Sequence, residues 1–181
     1  MSDPVTLTVP AGSLRRGALV TLFQRGVVVP IPGPRSVSDL LTVDLGIDPD
    51  YIRRTIATVF VDSMVVDDLD RTTIHPGSVL TLSAAMPGLA GATLRRSGYY
   101  RAMRADVSWR EDRQHGPADP DAAHPGTVVV KLFNLLIPDV GPQILRRGIV
   151  LPRDEAVRLL GPDAGLDHVA PDREILLMVA A

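Results

Sequence analysis

The chain has 181 residues, a formal net charge of −2, 45% hydrophobic residues and only 4% aromatic ones. That is enough for one large domain or two small ones around an aliphatic core, and the near-neutral balance gives no general pull toward nucleic acid or anionic membranes. Cysteine is absent, which excludes disulfides, thiolate metal sites and cysteine nucleophiles, and Lys131 is the only lysine, so lysine-based covalent catalysis would rest on one residue.

In chain order, residues 5–9 (VTLTV) alternate threonine with aliphatics and stop at Pro10, the pattern of a half-buried strand. Ser13 is placed to cap a helix reaching Arg25, with Leu14, Ala18 and Leu22 at helical spacing and Gly26 as its left-handed stop. The same stretch can also be read as a hairpin strand. Residues 27–30 form a second strand, and after the turn PIPGP, Ser36 caps a helix that ends near Gly46. Residues 48–54 add a further helical turn. Residues 56–61 are a β-branched strand, Asp62 and Ser63 turn it into a short strand over 64–66, and His75-Pro76-Gly77 turns into a strand over 78–85. The order β-α-β-α-β-β predicts an α+β fold with helices covering one face of a mixed sheet.

Pro87, Gly88 and Gly91 follow, then ATLRRSGYYRAMR (92–104), a helix pattern interrupted by Gly98. Residues 106–126 are polar and rich in Asp, Pro and Gly, as an exposed linker would be. The remainder echoes the first part. LFQRGVVVP (22–30) aligns with ILRRGIVLP (144–152), SVSDLL (36–41) with EAVRLL (155–160), and PGSVLTLSAA (76–85) with PDREILLMVAA (171–181), which makes 127–133 the counterpart of the first strand. The expected division is a domain over 1–88, a helix and polar linker over 89–126, and a second, truncated domain over 127–181.

VFVDSMVVDDLD (59–70) and HPGSVLTLSAAMPG (75–88) resemble the sulfur-carrier branch of the β-grasp, or ubiquitin-like, superfamily, meaning the small subunit of molybdopterin synthase and the thiamine-biosynthesis carrier. The resemblance covers residues 1–91 and implies a β-grasp mixed sheet, with 127–181 a degenerate second copy. It also implies a glycine tail whose terminal carboxylate is activated. Here Gly88 and Gly91 are not adjacent and the chain runs on past them, while the second copy ends on Ala180 and Ala181. Carrier chemistry would therefore require cleavage after Gly88 or Gly91.

Three groups of residues carry possible chemistry. Gly88, Gly91, Arg95 and Arg96 could hold an anion at a helix start, although the P-loop lysine is missing. Arg95, Arg96, Tyr99, Tyr100, Arg101 and Arg104 form a dense Arg/Tyr cluster, and these two residue types are enriched at protein-interface hot spots. Asp67, Asp68 and Asp70 form a carboxylate cluster in what the resemblance makes a surface turn. His115, Asp119, Asp121 and His124 are spaced too loosely to fix a metal. No catalytic motif stands out. The expectation is a cytoplasmic, non-enzymatic adaptor or assembly protein without cofactor or metal. A protein partner or a homo-oligomer is expected, reached through a sheet edge and the Arg/Tyr segment; contact with membrane or nucleic acid is not. The sequence shows no bilayer-long apolar run and no charged-then-apolar leader in MSDPVTLTVP.

Overall fold

A computed structural model describes residues 4–84, 88–96, 98–99, 108–109, 125–162 and 164–180. The chain begins with β1 (Val5–Val9), a 3-10 turn (Ala11–Ser13), α1 (Arg16–Arg25) and β2 (Val27–Ile31). It continues through β3 (Arg35–Ser36), α2 (Val37–Asp39) with its π-helical extension (Leu40–Asp44), α3 (Pro49–Thr55), β4 (Thr58–Val61), β5 (Met64–Val65), β6 (Thr73–Ile74), β7 (Val79–Ser83) and α4 (Gly88–Leu94). The last group is β8 (Gly126–Phe133), α5 (Leu136–Arg147), β9 (Ile149–Pro152), α6 (Arg153–Leu160) and β10 (Glu174–Val179).

Local chemistry explains most of the boundaries. Ser36 Oγ accepts the Asp39 N–H at 3.0 Å, as the sequence predicts, and the helical turn expected over 48–54 is capped by Asp48, whose Oδ1 accepts from Asp50 and Tyr51 at 2.6 and 3.0 Å ahead of Pro49. Asp62 and Ser63 both have positive φ, 51° and 69°, which gives the tight two-residue link between β4 and β5. Ser13 does not cap α1. It sits in the 3-10 turn, and the helix begins two residues past the expected start because the Arg15 N–H is donated to the Leu159 carbonyl at 3.1 Å, tying the turn to α6.

The two aligned segments take the same local conformation. Both α1 and α5 stop on a glycine, Gly26 (φ 115°) and Gly148 (φ 105°), whose N–H closes the helix on Leu22 and Ile144. A Cβ would stand 2.6 Å from Val129 Cγ1 at Gly26 and 3.0 Å from Leu176 Cδ1 at Gly148. Two residues further on, Val28 and Val150 pair with each other where β2 meets β9 antiparallel.

Eight strands form one mixed sheet in the order β1-β10-β9-β2-β8-β7-β4-β5; β3 and β6 pair separately. The expected first strand does not lie among the strands that follow it. β1 pairs in parallel with β10, while β8 fills the place between β2 and β7, antiparallel to one and parallel to the other. Each part of the chain thus lends a strand to the other, and the sheet is continuous across both.

Alternation assigns the faces. Val27, Val29 and Ile31, Val128, Val130 and Leu132, and Ile175, Leu177 and Val179 are all buried, and α1 and α5 pack over β8 and β10 on that side. These residues belong to one hydrophobic cluster, where each buried aliphatic side chain contributes about 1.5–3 kcal/mol. The alternate residues Val28, Val129, Val150, Leu176 and Met178 are only half-buried and stand outside that cluster. No helix among the described residues is long and apolar enough to cross a membrane.

Candidate functional site

Two surfaces collect the features singled out in the sequence. The first is a cleft of about 710 Å³ beneath α3, with Arg53, Arg54, Arg95 and Arg96 on its walls together with Asp67, Asp68 and Asp70. The sequence presents the carboxylates and the Arg95-Arg96 pair as separate clusters more than twenty residues apart; folding β4 through β7 back beside α3 brings them together.

Much of this charge is already engaged. Arg96 donates its N–H to the Ala57 carbonyl at 2.7 Å and its Nη2 to the Ile52 carbonyl at 3.1 Å, satisfying one of the four carbonyls that the end of α3 leaves without a helical donor. Burial pushes the Arg96 guanidinium below its usual pKa, and the Asp67 carboxylate pulls it back up. Asp68 Oδ1 accepts the N–H groups of Asp70 and Arg71, both at 3.0 Å, and Thr72 Oγ1 donates to the Asp68 carbonyl at 2.6 Å. Arg53 pairs with Asp50 on its own helix. The cleft is a braced surface of mixed charge, its arginines and aspartates tied into backbone and ion-pair contacts.

The expected anion-holding helix start is modest. α4 runs only from Gly88 to Leu94, with Gly88 exposed at φ 73° and Gly91 buried within it. The described start of the helix pattern expected over 92–104 lies in α4, which begins earlier, at Gly88, and ends at Leu94; residues 97 and 100–104 lie outside the described residues. Arg95 is exposed, and Tyr99 is 93% exposed. Tyr100, Arg101 and Arg104 lie outside the described residues, as do His115, Asp119, Asp121 and His124.

The second surface is the outer edge of β1. Val9 accepts the Ala180 N–H at 2.9 Å through its carbonyl, which sets the phase of the parallel ladder with β10. Val5, Leu7 and Val9 therefore direct their backbone groups at β10, and Thr6 and Thr8 direct theirs away from the sheet. Among the described residues no strand pairs with that outer side. Val5, Leu7 and Val9 pack against the core while Thr6 and Thr8 are exposed, so the edge is ordered and uncharged. Nothing in residues 5–9 read alone distinguishes an edge strand from a central one; the position comes from the pairing with β10, some 170 residues away.

Compared with known protein families, curated proteins and solved structures, the chain finds no match.

Proposed function

We propose that the chain is a non-enzymatic binding or adaptor protein of β-grasp type, in which residues 127–181 are a second, altered copy of the first unit and protein partners dock on the open edge of β1. The Arg95–Tyr99 region beside the charged cleft offers a secondary contact. The observation that carries this reading is the outer edge of β1, with which no strand pairs among the described residues. A row of free N–H and C=O groups on an ordered strand is the template that strand addition uses, and soluble proteins commonly block such edges with charge or proline. Support for the repeat comes from the matched Gly26 and Gly148 conformations and from the antiparallel meeting of Val28 with Val150.

The test is site-specific photo-crosslinking in the native host. A photoreactive residue at Thr8 is expected to capture a defined polypeptide, and one at exposed Asp154 on α6 is not. The same crosslinking pattern from both positions would contradict edge docking.

The runner-up is a sulfur-carrier-like protein active after cleavage at Gly88 or Gly91. It has less support, because β8 sits between β2 and β7, and a fragment ending at either glycine would lose the strand that pairs with both. Intact-mass measurement separates the readings. The adaptor reading expects the undivided chain, and a fragment ending at Gly88 or Gly91 with sulfur in place of oxygen would favour the carrier.

A further inference from the structure

We propose that a second copy of this chain occupies the open edge, through antiparallel pairing of β1 with β1 about a two-fold axis at Leu7. This rests on reading that edge as a docking surface and names its partner. β1 is a palindrome, Val5-Thr6-Leu7-Thr8-Val9. Antiparallel self-pairing centred on Leu7 sets Leu7 against Leu7, Thr6 against Thr8, and Val5 against Val9, so like meets like at every position. A two-fold interface requires that self-complementarity, and a heterologous partner does not.

The backbone phase agrees independently. Thr6 and Thr8 are the residues whose N–H and C=O groups face outward. Centred on Leu7, the pairing makes Thr6 with Thr8 the two hydrogen-bonded pairs, which exchange four N–H···O bonds, and leaves Leu7 as the close, non-hydrogen-bonded pair. A centre at Thr6 or Thr8 would also satisfy outward groups, but it would pair Val5 or Val9 with a residue beyond the strand, where Pro4 or Pro10 stands at its end. Face parity is kept as well. Leu7 meets Leu7 on the helix-covered side, and the threonines meet on the bare side, where cross-strand Thr–Thr pairs are favourable. Like charges do not oppose the approach, since residues 5–9 carry none and the net charge is only −2. The chain already contains one such joint, where Val28 and Val150 of the two aligned segments meet antiparallel between β2 and β9.

Five residues make a small interface, so the dimer is expected to be concentration-dependent and weaker than standard-sized complexes. Sedimentation velocity on the full chain, from micromolar to millimolar concentration, tests it. The weight-average mass is expected to rise from 19.4 kDa toward twice that value. Thr6→Pro should hold the mass at the monomer value with a melting temperature lowered by no more than about 4 °C, because the N–H it removes faces away from β10. Thr6→Lys with Thr8→Lys should do the same, since each introduced lysine lies opposite another. Thr6→Lys with Thr8→Glu should restore the rise, since each lysine then lies opposite a glutamate of the other copy. A wild-type mass that stays at the monomer value throughout, or equal behaviour of the like-charge and opposite-charge pairs, would overturn the proposal. If the wild type stays monomeric while Thr8 still crosslinks to a different polypeptide, the second copy is ruled out and edge docking stands. If Thr8 captures nothing, the docking reading fails with it.

Discussion

The two ends of the sheet are built in opposite ways. At one end β5 is only two residues long, and the chain crosses its edge again, with the Trp109 N–H donated to the Val65 carbonyl at 2.7 Å and the indole packed against the core. At the other end β1 is longer, carries no charge or internal proline, and has no strand beyond it among the described residues. Short strands, coverings and charges are how soluble proteins keep sheet edges from pairing. Among the described residues that protection is present at one edge and missing at the other, and the difference marks β1 as the surface to test.

The largest expected effect breaks the comparison within β1 itself. Leu7→Pro removes an N–H directed at β10 and part of the core packing, and should destabilise by on the order of 3 kcal/mol in chemical denaturation. Thr6→Pro, one residue earlier, should cost less than about 1 kcal/mol. Equal losses would mean that the phase assigned to the edge is wrong. Next comes the closed end. Trp109→Ala uncovers β5 and should cost about 2 kcal/mol, since the indole is half-buried rather than fully enclosed, and should raise the aggregation rate on heating. A variant as stable and soluble as the wild type would show that the covering is incidental.

The smallest effect concerns the helices over the sheet. Tyr51 Oη donates to Asp139 Oδ2 at 2.7 Å, linking α3 to α5. Burial first, then this bond and the carboxylate charge, hold the phenol's pKa above its ordinary value of 10.0. The unfolded phenol ionises near its ordinary value, so the contribution is fully present below about pH 10 and fades as the pH rises above it. Tyr51→Phe should cost about 0.5–1 kcal/mol at neutral pH, discounted for solvent exposure, and the gap to wild type should close in alkaline buffer. A gap independent of pH would assign the loss to packing.

Much of the fold was legible along the chain. The Ser36 cap, the Asp62-Ser63 turn and the glycine stop at Gly26, with Gly148 its aligned counterpart, each follow from local chemistry, which acts over a few residues. Strand partnership does not. Period-two patterning shows that residues 5–9 have a buried face, but their pairing with β10 and the insertion of β8 between β2 and β7 depend on contacts across the whole chain. The site divides in the same way. The Arg95 and Arg96 motif and the three aspartates are visible in the sequence, while their meeting in one cleft, and the use of Arg96 as a brace for α3, come only with the tertiary fold. The palindrome in β1 is plain in the letters and acquires meaning only once that strand is found at an edge.

The most direct test is amide hydrogen exchange along β1, followed by NMR at rising protein concentration. In dilute solution Leu7 and Val9 should be protected by β10, with Thr6 and Thr8 exchanging at nearly unstructured rates. As concentration rises, Thr6 and Thr8 should gain protection together while Leu7 stays unchanged. Exchange at Thr6 and Thr8 that is slow in dilute solution, or that never responds to concentration, would contradict an open edge awaiting a second copy.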